Sequence, residues 1–401
     1  MQEAHRKPVP CIAEPLLVLL RTANVRATAY NVAFLVENNL GHRTHLRSLK
    51  RHISSECGIN PYWLPVEPYL PDVWSRLPIV RDRTPLSWSG RAATQIRELR
   101  RSGKPIDLIY LHTVNIALAA RFTSGSIPQV ISLDGTPEPS KTFATYRHEA
   151  QPRGAALAAR EYLYRSALQS AKALVAFSPW VEDSLINHYA IEPSKVRVFT
   201  SGIDLETWGS VDRRSAATRR PRVLFVGGDF HRKGGDRLLD VWWTRLRSHC
   251  DLDIVSRSAP PGLTSEAGVR VFHELASDSP ELRQVFAEAS VFALPTRGDA
   301  MPFVVMEAMA SSLPVVASRI GGIPSMVEEG TTGYLIDDTD DVTLGDRLLA
   351  LVTNPSLVED MGAAARLAAV RQFDAAANYS ALGRHLASLA QRCCWVPDTQ
   401  R

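Results

Sequence analysis

Short apolar, β-branched runs alternate with longer helix-spaced ones along almost the entire chain, and this alternation limits the possible folds more than any other feature. In the first half the strand-like runs are Leu16–Leu20, Leu108–Leu111, Gln129–Leu133, Ala173–Phe177 and Val196–Thr200. Between them, 30–39, 90–101 and 155–170 carry apolar residues at helical spacing. Residues 60–86 hold six prolines and little periodicity, which predicts an irregular surface segment. The second half repeats the pattern, with strands expected at 222–226, 252–256, 269–272, 291–294, 314–317 and 334–336. Helices are expected between them, and two more close the chain at about 356–371 and 375–393. A strand followed by a helix returns the chain in its original direction, so the order predicts α/β architecture with parallel sheets.

The 401 residues exceed one ordinary core and suit two of about 200 residues. The polar, basic and aperiodic stretch GSVDRRSAATRRP (209–221) reads as a linker. The expected division is therefore 1–208, a linker at 209–221, and 222–374, with a helix at about 375–395 packing back on the first domain. No run of about 18 apolar residues predicts a membrane span. The apolar stretch Pro15–Leu20 is followed by Arg21 rather than a small-residue cleavage site, so it reads as the first core strand. Cys11, Cys57, Cys250, Cys393 and Cys394 show no metal-ligand spacing, which fits a reduced cytoplasmic protein.

Charge is unevenly placed. Residues 1–200 hold 25 Lys and Arg against 16 Asp and Glu, a net +9, whereas residues 201–401 hold 21 against 26, a net −5. The first half is thus suited to an anionic partner such as a membrane surface or a phosphorylated lipid. Nucleic acid is disfavoured, because no dense basic-aromatic patch or known binding motif occurs. GHRTHLRSLKRHIS (41–54) concentrates Arg43, Arg47, Lys50 and Arg51 beside Leu46, Leu49 and Ile53. At helical spacing this is either a solvated surface helix or an interfacial one.

Two constellations carry chemistry. In RVLFVGGDFHRKGGDRLLDVW (222–242) a strand runs into Gly227-Gly228, and Arg232-Lys233-Gly234-Gly235 opens a helix. Glycines after a strand let backbone N–H groups approach a phosphate, and a helix N-terminus favours negative charge. The spacing is neither G-x-G-x-x-G nor a P-loop. Lys233 is the last of only seven lysines. The second constellation is LPTRGDAMPFVVMEAMASSLPVVAS (294–318). There a loop bearing Arg297 and Asp299 leads to Pro302, placed at a first helical position, with Asp299 able to cap the helix. Free N–H groups from Phe303 and Val304 onward point the same way, and Glu307 stands alone in an apolar helix, where a carboxylate needs a partner. A structural arginine is one such partner and a ligand is another.

An acidic residue, seven others and Glu, followed by Ala-Met, PVV, GGIP and GTTGYLI, resembles the family 4 glycosyltransferases of GT-B fold. VGGDFHRKGG, AFSPWVEDSL (176–185), VFTSGIDLETW (198–208) and GHRTH (41–45), the last read as a helix-to-strand passage, extend the likeness over most of the chain. The resemblance implies two facing Rossmann-like domains with the active site in the cleft between them. It implies a retaining transfer from a nucleotide-diphosphate sugar, UDP- or GDP-linked, with no bound metal or cofactor, to a sugar, lipid-linked or small-molecule acceptor. Glu307 would hold the donor ribose, Asp299 the donor sugar, and Lys233 with Arg232 the diphosphate. Gly227, Gly228, Arg297, Phe303 and Val304 would complete the donor site. His112, at a strand end in IYLHTVN, matches a position near the transferred sugar, and Asp134 in LDGTP faces the cleft from the acceptor side.

The chain departs from the family pattern in places. Asp299 stands where Glu is usual, Ala300 and Pro302 replace small residues, and Gly228 replaces an Arg. RTANVRATAYN (21–31), read as the turn after the first strand, lacks the expected glycine pair. A nucleotide-sugar epimerase or phosphorylase of the same fold, or an inactive partner subunit, are the alternative readings.

Overall fold

The computed structural model describes residues 29–67, 70–76, 84–120, 122–137, 154–209, 220–265, 267–337 and 339–394. The expected strand at Pro15–Leu20 and nearly all of the expected linker lie outside these residues. Two six-stranded sheets, parallel throughout, face one another. The first comprises β1 (Tyr30–Glu37), β2 (Ile59–Val66), β3 (Leu108–His112), β4 (Gln129–Leu133), β5 (Ala173–Ala176) and β6 (Val196–Val198), in the order β2-β1-β3-β4-β5-β6. The second comprises β7 (Arg222–Val226), β8 (Asp251–Val255), β9 (Val269–Phe272), β10 (Val291–Leu294), β11 (Val315–Ser318) and β12 (Gly333–Ile336), in the order β12-β11-β10-β7-β8-β9.

Two expectations about the first sheet are overturned. Residues 30–39 are not a helix: Tyr30–Glu37 is a central strand, paired with both β2 and β3. Val32 to Val36 are completely buried, and a run with no polar face satisfies a helical and a strand period equally well. Residues 60–86 are not wholly irregular, because Ile59–Val66 forms β2. Its Pro61 and Pro65 lie opposite Val32 and Val36, and β2 is an edge strand, where a missing N–H removes no ladder bond.

Helix α1 (Leu40–His52) follows β1, α2 (Thr84–Arg101) and α3 (Val114–Ala120) flank β3, and α4 (Ala155–Ser170) precedes β5. GHRTH is therefore the start of a helix after a strand, not a helix-to-strand passage. In the second sheet α5 (Gly235–Val241) follows β7 and α6 (Phe303–Ala310) follows β10. The chain crosses back after 372. Ile203 donates to the Phe373 carbonyl at 2.9 Å and accepts from the Ala375 N–H at 3.1 Å. The last helix, α7 (Ala375–Cys394), then packs on α1, β1, β2 and β3. Across the cleft Trp208 meets Phe286 edge-on at 5.0 Å, and Arg47 pairs with Asp278 at 2.8 Å.

The buried face of α1 bears directly on the membrane reading. Leu46, Leu49 and Ile53 lie in the core, while Arg47 and Arg51 pair with Asp278 and Asp204. The apolar trio is thus packed against protein, and no described helix is long and apolar enough to cross a membrane.

Candidate active site

The donor-side loops are shaped by glycines whose absent side chains leave room for neighbours. A Cβ on Gly227, at the end of β7, would lie 2.8 Å from the Lys233 stem, so the glycine admits that side chain beneath the turn. Gly234 has φ +79°, and a Cβ there would lie 1.9 Å from the Pro295 carbonyl oxygen. The two loops are tied together. Arg297 donates its backbone N–H to the Arg232 carbonyl at 2.9 Å, and its guanidinium grips Asp236 at 2.7 and 2.9 Å. Arg232 donates to the Gly298 carbonyl at 2.7 Å and lies 3.5 Å from Asp229. Gly228 stays at the surface, its carbonyl accepting from Ser258 at 3.3 Å.

These ties bring Lys233 and Asp299 together as a close ion pair in which both side chains are largely buried. Burial lowers the Lys233 pKa, and the Asp299 carboxylate opposes that shift. Asp299 therefore does not cap the following helix. Pro302 occupies the N-cap position with no side-chain cap, one residue earlier than the first helical position expected for it. A second glycine pair cradles the Asp299 loop. Gly321 (φ +57°) leaves 2.1 Å between a notional Cβ and the Asp299 carbonyl oxygen, and Gly322 donates to the Ala300 carbonyl at 2.6 Å.

Substituting Gly234 should separate space from backbone strain. Gly330 has a similar φ, +75°, but a Cβ added there would meet nothing within 4 Å. Gly330→Ala should cost only the left-handed penalty of about 1–2 kcal/mol. Gly234→Ala adds overpacking against backbone, typically another ~1–3 kcal/mol. Urea midpoints of the two variants check this, and equal losses would mean the loop can move away from Pro295.

Glu307 lies on the second turn of α6, 6% exposed. Its carboxyl makes no hydrogen bond or ion pair among the described residues. Burial, with the nearby Asp278 charge, raises its pKa to about 8 against the smaller pull of Arg47. The structural-arginine alternative is thus not what the side chain does. Phe303 and Val304 occupy the first turn of α6, which carries no acidic residue. Facing them is the first turn of α1, which likewise has neither a side-chain cap nor an acid. A Cβ on Gly41 would stand 3.9 Å from the Phe303 ring. The helix that follows the first described strand therefore carries a glycine, Gly41, in its first turn, whereas most of the stretch 21–31 lies outside the described residues.

The wall of the first domain is a cluster at strand ends. His112, ending β3, is fully buried. Its Nδ1 is 2.7 Å from the Ser132 hydroxyl, its ring stacks on Phe177 at 5.1 Å, and its Nε2 has no hydrogen-bond partner. Burial, reinforced by His45 and His42, keeps the ring neutral. Asp134, just past β4, lies 3.3 Å from His42 Nε2. Glu37, ending β1, lies 3.1 Å from His42 Nδ1 and accepts from Thr113 at 2.6 Å. The structure thus groups His112 with Asp134 and Lys233 with Asp299, and turns Arg297 away to Asp236. His42, Glu37, Gly41 and the Gly321-Gly322 pair are not among the residues that sequence singles out for a role. GHRTH and GGIP are visible as motifs, but nothing in them gives the partners.

Residues 38–207 match the family model described as "Glycosyltransferase Family 4", and residues 220–354 match "Glycosyl transferases group 1". The chain is 29% identical over 297 residues to an alpha-maltose-1-phosphate synthase of Mycobacterium tuberculosis, covering 66% of this chain and 75% of that one. It is 30% identical over 230 residues to a D-inositol 3-phosphate glycosyltransferase of Corynebacterium diphtheriae, covering 52% and 54%. Among solved structures, sucrose-phosphate synthase from Thermosynechococcus elongatus superposes with TM-score 0.73 at 16% identity, covering 90% of this chain and 98% of that one. Anabaena HepE in complex with UDP gives 0.64 at 15% identity, covering 90% and 100%. The paired parallel sheets are the GT-B fold, and the chain belongs to the family 4 glycosyltransferases.

Proposed function

We propose that this glycosyltransferase moves a sugar from a nucleoside-diphosphate sugar to an acceptor hydroxyl with retention at the anomeric carbon and without a metal ion. The observation that carries the donor reading is the apposition of two uncapped helix N-termini, at Gly41 and Phe303, neither with an acid in its first turn. Such ends present unpaired N–H groups and partial positive charge. Facing each other beside Lys233, they form a place for a diphosphate. Glu307, buried and unpartnered, suits two ribose hydroxyls. His112, with its buried Nε2 unpaired, suits a sugar hydroxyl, and Asp134 suits the acceptor.

No carboxylate in this arrangement takes the part of a covalent nucleophile. The reading is same-face displacement, in which the protein positions the reactants and stabilises charge on the departing diphosphate, whose oxygen takes the acceptor proton. The acceptor is proposed to carry phosphate, in keeping with the names of the two relatives and with the net +9 of residues 1–200. A lipid-linked phosphate falls within that class, but insertion through the apolar face of α1 does not, because that face is buried.

The test is a thermal-shift panel of nucleoside diphosphates and their sugars, beginning with UDP, followed by product analysis with sugar-phosphate acceptors. A ligand at about 100 times its dissociation constant stabilises by about 2.7 kcal/mol. No shift with any nucleotide would overturn the donor reading. Hydrolysis or epimerisation without a glycosylated product would favour the alternative chemistries. Activity should also survive EDTA. Lys233 and the helix ends already offer positive charge, and the close-set His42, His112 and Asp134 group has both His42 nitrogens on carboxylates. Activity lost to EDTA and restored by Mg²⁺ or Mn²⁺ would reverse this part of the proposal.

A further inference from the structure

His42 stands where the first-domain sheet opens onto the cleft, and its surroundings are unusual for a residue at a helix N-terminus. A cation there is normally unfavourable, because the helix end is itself positive. Here two carboxylates from separate strand ends converge on one ring, Glu37 at 3.1 Å and Asp134 at 3.3 Å. The His42 ring also meets His112 edge-on at 4.7 Å. Two carboxylates held this close would repel each other in a partly buried site without a positive group between them. Both ring nitrogens face oxygens, so both are placed to donate, which only the protonated ring can do.

We propose that His42 is a positioning residue for glycosyl transfer: it clamps Glu37 and Asp134 on either side of one imidazolium and so holds the Asp134 carboxylate toward the acceptor hydroxyl, beside the unpaired Nε2 of His112. This rests on the cleft reading given above. The titration directions agree with the geometry. Burial lowers the His42 pKa, but the hydrogen bonds and charges of Asp134 and Glu37 outweigh it and raise the value to about 10. For Asp134, burial works upward and His42 more than reverses it, to about 2. The other titratable groups against the ring are His112 and, one turn along α1, His45; both are held neutral by burial. Neutral His112 has one N–H. Ser132 can accept it while donating to the Leu111 carbonyl at 3.5 Å, leaving Nε2 a lone pair for a sugar hydroxyl.

The first test needs no substrate. Nitrogen-15 spectra of histidine-labelled protein, assigned by the signal lost in His42→Asn, should show His42 with both nitrogens protonated at pH 8 and His112 neutral. A His42 ring that is neutral at pH 8 would overturn the proposal whatever the enzyme's substrate proves to be. The second test uses the pH profile once a donor and acceptor are in hand. Wild-type kcat/KM for the acceptor should show no acid limb from Asp134 above about pH 4. In His42→Asn the Asp134 carboxyl, left beside Glu37, rises, and activity should fall as pH drops below about 6. At the pH optimum kcat/KM should be lower by about 100-fold, the loss expected for misplacing a reacting group, with the donor KM within about twofold. His42→Lys, which restores a cation, should move the acid limb back down. A lower melting temperature with an unmoved pH profile in both variants would reduce His42 to a structural ion pair. Failure of wild type to transfer sugar at all would count against the cleft reading and not against the nitrogen-15 result.

Discussion

Lys233→Ala is expected to lower turnover by 100-fold or more. Removing one preorganised donor aimed at developing charge costs about 2.7–4 kcal/mol of transition-state stabilisation, and the setting of Lys233 places it at the upper end of such cases. The Lys233 side chain is only 14% exposed, and its stem occupies space that a Cβ on Gly227 would fill. Its described partner is Asp299, not solvent, so the charge is held in a low-dielectric place before any ligand arrives. A diphosphate leaving group gains negative charge as the glycosidic bond breaks, and a fixed cation there acts more strongly than it could in water. Lys233→Ala also leaves Asp299 without its counter-charge, so the control is Lys233→Ala/Asp299→Asn. If Asp299 merely becomes a repulsive neighbour, the double variant should recover much of the loss. If Lys233 stabilises the leaving group, it should recover little. Turnover of Lys233→Ala within about threefold of wild type would end the assignment.

How much of this site can be read from the chain depends on how local its parts are. Lys233, Asp299 and Glu307 sit in contiguous motifs in which strand, glycine turn and helix follow one another, so spacing alone puts them at one sheet edge. Pairing is less legible. Asp299 reads as a helix cap because its sequence neighbours include Pro302, whereas its partner Lys233 comes from a loop 66 residues away. Arg297 likewise looks ligand-facing in sequence, yet its bidentate grip on Asp236 spans 61 residues. The first sheet is the harder half for a different reason. Val32 to Val36 are apolar on both faces, which erases the period that distinguishes strand from helix, and the prolines of β2 disguise a strand that only its edge position permits. With β1 misplaced, Gly41 and His42 cannot be recognised as the first turn of the helix beyond it. The His42 cluster joins residues 37, 42, 112 and 134, and only the parallel stacking of β1, β3 and β4 brings them together.

Glu307→Gln should weaken nucleotide binding at least tenfold and, in the same protein, raise stability without ligand at alkaline pH. Both follow from a carboxyl buried without a partner. Its pKa in the folded chain is about 8 against an ordinary value of 4.5. Between those limits the folded state holds a proton that the unfolded state has released, so stability falls as pH rises through that window. Above about pH 8 the folded protein carries an uncompensated buried charge. Gln is nearly the same shape and cannot ionise, so the variant should match wild type near pH 4 and exceed it progressively toward pH 8 to 9. Other titrating groups are common to both proteins, so the difference between their melting curves isolates this one. Nucleotide binding uses the same charge in the opposite sense. Two ribose hydroxyls donating to an ionised carboxylate make strong charge-assisted bonds, which Gln can accept only through one neutral oxygen. Binding should therefore release close to one proton at pH 7. Calorimetry in buffers of different ionisation enthalpy reads that release directly, and affinity should increase up to about pH 8 and then level. In Glu307→Gln the proton release should vanish along with the pH dependence of affinity. Parallel melting profiles for the two proteins, together with unchanged nucleotide affinity, would show that Glu307 is already compensated within the fold and would remove the ribose assignment.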